Sequence, residues 1–170
     1  MTTGTHIIGG VIVSLFFHLP VIPAAIGSVI PDIDIKKGFP KGKRTLLNAH
    51  RGITHHPLIP ITIGIGAVYI ENLHPILSLN LLSFSAGYMS HLLLDMLTPL
   101  GIPYTTKYNP RISLKLLKSG KIAEIIVSLT LLIILVKLLK NDSLNIKTLI
   151  GRKNISFLKN VLQYFGLRTF

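Results

Sequence analysis

Histidine and aspartate residues occur in a few short motifs of a chain that is otherwise apolar or basic. Asp and Glu together account for 6 of 170 residues, against 18 Lys and Arg residues. Charged carboxylates in apolar surroundings are costly unless they are paired or bound to a metal ion. Imidazole nitrogen and carboxylate oxygen are also ligands that Zn, Mn and Fe ions accept. The sequence therefore predicts a site for one or two divalent ions, with Zn favoured and Mn or Fe as alternatives, and with these candidate ligands: His6, Asp32, Asp34, His50, His55, His91 and Asp95.

His91 and Asp95 are the most informative pair. Four residues apart on a helix, they lie about 40° apart on one face, one turn above the other. Both side chains can then reach one ion, or the carboxylate can link two ions. The alternative is a buried hydrogen bond that steadies the helix. Ionisable groups inside apolar helices are functional by default, which favours the ligand role.

Asp32 and Asp34 follow Pro31, and we expect an extended segment in which the two side chains point to opposite sides. One carboxylate would bind the ion while the other orients a histidine ligand. The alternative is a solvated turn at the end of a helix, where Asp is common. The nearby histidines His50 and His55 favour the ligand role.

Arg51 lies between the candidate ligands His50 and His55. Its guanidinium could hold a phosphate or carboxylate oxygen and neutralise charge that develops on a transferring group. Alternatively, it is one more basic residue on the cytoplasmic side of a membrane. Glu124, in the first turn of the last apolar helix, is a candidate ligand or general base, or else a carboxylate stabilised by the helix dipole.

His6 can join the site only if the chain reverses direction. A straight helix from residue 6 to residue 32 would separate the two ligands by about 39 Å. Ligands of one ion lie ~2.0–2.2 Å from it. Pro20 and Pro23 interrupt the first apolar run, because proline lacks the backbone donor and clashes with the preceding turn. If both ligands share one site, a re-entrant helical hairpin with its turn at residues 20–23 follows.

The composition is that of a membrane protein. Hydrophobic residues make up 49% of the chain, charged residues 14%, and the mean hydropathy is +0.58. Four apolar stretches cover residues 7–30, 57–70, 76–97 and 122–139, and the last two are about long enough to cross a ~30 Å hydrocarbon layer. We expect an all-α, multi-pass membrane bundle of four to five helices over residues 1–140, followed by a basic amphipathic tail over residues 141–170. The absence of cysteine excludes disulfides and a thiol nucleophile.

The net charge of +12 indicates contact with anionic lipid headgroups. The Lys and Arg residues follow the loops that carry the candidate ligands, and aromatic residues make up only 7% of the chain. No specific nucleic-acid binding is expected. The positive-inside rule places a metal pocket at one membrane face, the cytoplasmic face of the cell membrane. The oligomeric state and the side of the tail stay open.

Four motifs together resemble a known family. They are Thr3-Gly4-Thr5-His6, Pro31-Asp32-Ile33-Asp34, His50-Arg51-Gly52-Ile53-Thr54-His55 and residues 87–101, GYMSHLLLDMLTPLG. In this order they resemble the LexA-regulated, inner-membrane-associated family of metal-dependent hydrolases, over about residues 3–135. The resemblance implies an inner-membrane hydrolase. The order of ligands is also similar to that of the zinc-dependent phospholipase C and single-strand nuclease group, whose multi-metal sites cleave phosphoesters. This second likeness implies His50 and His91 with Asp32 or Asp34 around one ion, and Asp95 bridging to another ion held by His6.

The function expected from the sequence is metal-dependent hydrolysis of a phosphoester, with lipids among the candidate substrates. A metal ion would activate water, Asp95 or Glu124 would accept its proton, and Arg51 would hold the substrate. One alternative is a non-catalytic membrane protein in which a structural His/Asp metal site supports an interaction or regulatory module. Another is a transporter with an intramembrane ion relay, although the His and Asp residues gather on one face.

Overall fold

The computed structural model of the protein describes residues 1–37, 45–105, 107–117 and 122–141. The predicted all-α class is confirmed, although a two-stranded antiparallel hairpin that the sequence did not predict follows the fourth helix. Residues 142–170, most of the predicted tail, lie outside the described residues. The elements are α1 (Thr3–Phe16), α2 (Val21–Gly27), a 3-10 helix (Ile30–Lys37), a second 3-10 helix (Ile53–His55), α3 (Leu58–Tyr69), α4 (Pro75–Met96), β1 (Ile102–Pro103), β2 (Arg111–Ile112) and α5 (Ile122–Asn141).

Helix α4 is the central element of the bundle. It packs against α1, α2 and α3, while α5 packs against α1. The buried side chains of Tyr88 and Leu92 meet Ile102 of β1 and form the core near the end of α4. The helix begins with Pro75, whose missing amide hydrogen costs nothing at a first helical position. The helices predicted at residues 57–70, 76–97 and 122–139 correspond to α3, α4 and α5, and their ends agree within one or two residues.

The chain reverses between α1 and α2, as the metal-site hypothesis requires. The two helices pack against each other, and the break covers the short segment from Phe17 to Pro20. The predicted turn at residues 20–23 is wrong in its position, because Pro23 lies inside α2. A proline in the first turn of a helix removes no hydrogen bond, since the amides there have no partner within the helix.

Two glycines allow α2 and α4 to cross at very short distance. A Cβ atom at Gly87 would lie 2.0 Å from the carbonyl oxygen of Ala24, and one at Gly27 would lie 2.1 Å from that of Phe84. Small residues at such a crossing are typical of helices that pack in membranes. The crossing fixes the end of α2, and with it the segment that carries Asp32.

The surface of the bundle is strongly apolar. Among the described residues, α4 is long and apolar enough to cross a membrane, and α1 and α3 are shorter apolar helices. Large exposed aliphatic side chains cover α5, including Ile122, Ile126 and Ile133. In water such a surface would be costly, because exposed apolar area carries a penalty of about 25 cal/mol per Å².

Candidate metal centre

The last two turns of α4 present His91 and Asp95 to the interior of the bundle. Both side chains are fully buried. The Nδ1 atom of His91 lies 2.7 Å from the backbone carbonyl oxygen of Ser28, at the end of α2. Because a carbonyl can only accept, Nδ1 carries the hydrogen and Nε2 keeps its lone pair. The imidazole is therefore oriented as a metal ligand requires.

His55 reaches the same point from the second 3-10 helix. Its Nε2 atom lies 3.2 Å from Nε2 of His91 and 3.2 Å from Oδ2 of Asp95. The loop is held by a hydrogen bond from the Tyr88 hydroxyl to the Thr54 carbonyl. Gly52 is needed here, because a Cβ atom would lie 2.0 Å from the Leu46 carbonyl oxygen.

Asp32 lies in a 3-10 helix, so the predicted extended segment is wrong. The amide of Asp32 donates to the Val29 carbonyl oxygen, an i to i−3 bond that continues the turn beyond α2. Oδ1 of Asp32 lies 3.6 Å from Nε2 of His55 and 3.6 Å from Nε2 of His91. The Asp34 side chain, the other predicted ligand of this motif, lies outside the described part of the chain.

Five of the six donor separations among His55, His91, Asp95 and Asp32 are close to those of a tetrahedral coordination shell. For Zn–N bonds of about 2.0–2.1 Å, ligands at the corners of a tetrahedron lie about 3.3–3.4 Å apart. Oδ2 of Asp95 lies 3.5 Å from Nε2 of His91, and the other separations given above run from 3.2 to 3.6 Å. Oδ2 is also a buried oxygen without a hydrogen-bond partner among the described residues. These donor types, distances and the unpartnered oxygen fit a divalent ion.

Arg51 binds the other oxygen of Asp95. Its Nη2 atom donates to Oδ1 of Asp95 at 2.7 Å, and Nη1 donates to the Thr98 hydroxyl at 2.7 Å. The guanidinium is buried, and both of its terminal nitrogens have protein partners. This contact neutralises Asp95 and leaves Oδ2 for the site. The predicted role of Arg51 as a substrate clamp stays a prediction, and the geometry shows a positioning role.

His6 stacks on His91, with ring centroids 3.7 Å apart and an angle of 18° between the planes. Its Nε2 atom lies 3.5 Å from Oδ1 of Asp95, so His6, His91 and Asp95 form a second group of potential ligands that overlaps the first. A second ion there would compete with the Arg51 guanidinium, which donates to the same oxygen. His91 can bind only one ion, since Nδ1 is hydrogen-bonded to Ser28. Within the described residues, the geometry accommodates one ion better than two.

Two predicted site residues lie beside the cluster. The ring of His50 is 5.6 Å from that of His55, edge to face, and His50 belongs to neither group of potential ligands. Glu124 is buried and accepts a hydrogen bond from the Thr2 backbone amide. It joins α5 to α1 and is likewise in neither group. Their predicted roles as ligand and general base stay predictions.

The pKa of Asp32 is shifted by its surroundings. Burial alone would raise the pKa of this carboxyl, but the hydrogen bond with His55 and the electrostatic interactions with His91 and His6 lower it below its ordinary value. Asp32 is therefore ionised at neutral pH. Its side chain keeps 15% of its surface exposed, whereas His55 and His91 are fully buried, so Asp32 lies on the open side of the cluster.

Two residues that orient the candidate ligands, Ser28 and Thr98, were not predicted from the sequence. Ser28 acts through its backbone carbonyl, and nothing in a residue's type identifies such a contact. The Thr98 hydroxyl bonds both Arg51 and the Asp95 carbonyl oxygen. Its place three residues after Asp95, at the end of α4, was a signal that could have identified it.

A bundle of apolar helices with a buried His/Asp cluster at one end defines a helical membrane-type protein with a candidate metal centre. The family model of the YdjM inner membrane proteins matches residues 1–151, and the chain therefore belongs to the YdjM inner membrane protein family. No curated protein and no solved structure matches the chain. The family supports the predicted association with the inner membrane. The regulation by LexA and the hydrolase activity, which the sequence resemblance implies, stay predictions.

Proposed function

We propose that this protein is a membrane-bound, metal-dependent hydrolase that cleaves a phosphoester. The observation that carries the proposal is the convergence of His55, His91 and Asp95, whose donor atoms lie 3.2–3.5 Å apart, the spacing expected around one small divalent ion. Zinc fits two imidazoles and carboxylates well, and Mn or Fe are alternatives. A divalent ion bound there would lower the pKa of a water molecule and polarise the scissile group.

The chain's own residues would have distinct roles in this chemistry. His55, His91 and Asp95 supply three donors, the number typical of catalytic zinc sites. Arg51 and Ser28 keep Asp95 and His91 in position. Asp32 is ionised and on the open side, so it replaces Asp95 and Glu124 as our preferred proton acceptor for water.

In the membrane, we propose that α4 and α5 both cross the bilayer and that α1 and α2 form a re-entrant hairpin. The 20 residues of α5 span about 30 Å, the thickness of the hydrocarbon layer. Lys107, Arg111 and Lys115 follow the end of α4 that carries the site, while residues 71–75 at the opposite end contain no Lys or Arg. This asymmetry supports a site that faces the cytoplasm and anionic headgroups.

The test combines metal analysis with hydrolysis of bis(p-nitrophenyl) phosphate by protein purified in detergent. Wild type is expected to hold about one ion per chain and to hydrolyse the ester, and His91→Ala is expected to lose both. His74→Ala is the matched control, because His74 is exposed at the turn before α4. Metal content and turnover that are unchanged in His91→Ala would refute the proposal.

A structural metal site is the second candidate function. It is favoured by the burial of three of the four donors and by the presence of a fourth protein donor, since structural sites are closed by four protein ligands. Asp32→Ala separates the two candidates. A hydrolase should lose turnover and keep most of its metal, whereas a structural site should lose metal and thermal stability together.

A further inference from the structure

A groove of about 350 Å³ lies between the start of α1 and the first half of α5. This volume falls within the range of ligand pockets in proteins. One end is polar and the rest of the wall is aliphatic. The polar end is formed by Thr2, Glu124 and Ser128, and the aliphatic wall includes Ile8, Leu129 and Leu132.

The polar end of the groove adjoins the candidate metal centre. The Thr5 hydroxyl is hydrogen-bonded to the Ser128 hydroxyl at 2.8 Å, and His6 is the next residue along α1. The Met1 amine lies 3.8 Å from Oδ1 of Asp95, and the next backbone amide donates to Glu124. The Met1 amine and the Thr2 amide are one residue of backbone apart, at most ~3.6 Å. Added to the two contacts above, this distance places the Glu124 and Asp95 carboxylates within about 10 Å of each other.

The groove has the direction and length of a lipid tail. From residue 124 to residue 132 a helix rises about 12 Å, slightly less than half of a ~30 Å hydrocarbon layer. The groove therefore runs along α5 from the level of the site into one leaflet. Ile125 and Leu129 are both more than half exposed, so its side opens towards the surface that lipid would cover.

The charge near the site complements an anionic head. The backbone amides of Leu114 and Leu117 donate hydrogen bonds to the carbonyls of Met96 and Leu97, respectively. These bonds hold the exposed Lys115 beside the end of α4. A phosphate that approaches the cluster would therefore meet basic charge outside and a divalent ion inside. An alkyl chain on the same molecule would meet the groove.

We propose that this groove holds one alkyl chain of a phosphodiester lipid whose phosphate lies at the metal centre. The proposal rests on the proposed function and narrows its substrate to a lipid of the site-side leaflet. In the reaction, a water oxygen forms a new bond to phosphorus and one ester P–O bond breaks. The proton lost by water passes through Asp32 to the leaving alkoxide, which gives an alcohol and a phosphate monoester.

The test uses a pyrene-labelled lysophosphatidylglycerol, whose binding is followed by fluorescence on detergent-purified, chelator-treated protein. Leu129→Trp fills the groove and is expected to weaken binding by about tenfold, the loss that follows when two methylene groups leave an apolar site. Ile133→Trp is the matched control, because Ile133 is an exposed α5 residue outside the groove lining. Thermal unfolding verifies that both variants fold.

Turnover separates this inference from the proposed function. With metal restored, Leu129→Trp should raise KM for the lysolipid and leave hydrolysis of bis(p-nitrophenyl) phosphate unchanged. Equal binding of the lysolipid by wild type, Leu129→Trp and Ile133→Trp would overturn the groove as a chain site, whatever the soluble ester shows. Binding that depends on the groove without turnover of any phosphoester would keep the alkyl-chain site and overturn the hydrolase.

Discussion

The crossing of α2 and α4 at Gly87 gives a steric test of how the site is held together. In Gly87→Ala the new Cβ atom would lie 2.0 Å from the Ala24 carbonyl oxygen and 2.6 Å from its carbonyl carbon. Both are backbone atoms, and real Cβ contacts do not fall below 3.0 Å. One helix must therefore move by about 1 Å, a rearrangement of the overpacking type that costs about 1–3 kcal/mol.

This movement reaches the site through Ser28, the residue that follows α2. A shift of about 1 Å would lengthen the His91 Nδ1 contact with the Ser28 carbonyl from 2.7 Å to about 3.7 Å, beyond hydrogen-bond range. Loss of a contact that orients a ligand typically lowers metal affinity about 10–100-fold. We expect Gly87→Ala to show this loss, together with a fall in Tm of roughly 2–12 °C.

The assay is thermal unfolding in detergent, combined with competition for Zn against a chelating indicator. Gly66→Ala in α3 is the matched control, because a Cβ atom there meets nothing within 4 Å. It should keep wild-type metal affinity and gain up to about 1 kcal/mol of helix propensity. If Gly87→Ala matched Gly66→Ala in both Tm and metal affinity, the coupling between the helix crossing and His91 would be refuted.

The Arg51–Asp95 contact, the choice between His55 and His50, and the bound ion can each be tested separately. Arg51→Met should lower the free energy of unfolding by about 3–5 kcal/mol, because it leaves the Asp95 carboxylate buried without its partner. The control Lys107→Met changes an exposed residue and should leave the free energy of unfolding nearly unchanged. Equal effects of the two substitutions in denaturant titrations would contradict the buried pair. His55→Ala should abolish stoichiometric metal binding while His50→Ala retains it, and metal analysis that found the reverse would move the site towards His50. Removal of the metal by a chelator should lower Tm, since an ion at 100 times its Kd stabilises the folded state by about 2.7 kcal/mol. If neither the chelator nor added Zn changed Tm, no ion would bind the folded state.

Helix positions and the pairing of the main candidate ligands could be predicted from the sequence because they depend on local pattern. Long apolar runs between proline and glycine breakers gave α3, α4 and α5 to within one or two residues. The four-residue spacing of His91 and Asp95 fixed their common face. The chain reversal between α1 and α2 followed from the chemical requirement that His6 and Asp32 share a site, rather than from any turn motif.

The remaining features depend on tertiary contacts that residue types do not reveal. The 3-10 conformation of the Asp32 segment continues directly from α2, and local propensity did not predict it. Arg51 has a positive φ of 55° and points inwards to Asp95, whereas a basic residue in a loop is ordinarily solvated. The β1–β2 hairpin contains two residues in each strand, too few for an alternating pattern.

X-ray absorption at the Zn edge, on protein purified with Zn, tests the central claim most directly. We predict one ion per chain with two imidazole nitrogens at about 2.0–2.1 Å, from His55 and His91, and carboxylate oxygen at about 2.0–2.2 Å. His91→Ala should remove one of the two imidazoles from that shell. A shell of oxygen atoms without imidazole, or protein that holds no ion, would contradict the convergence of these side chains on one cation.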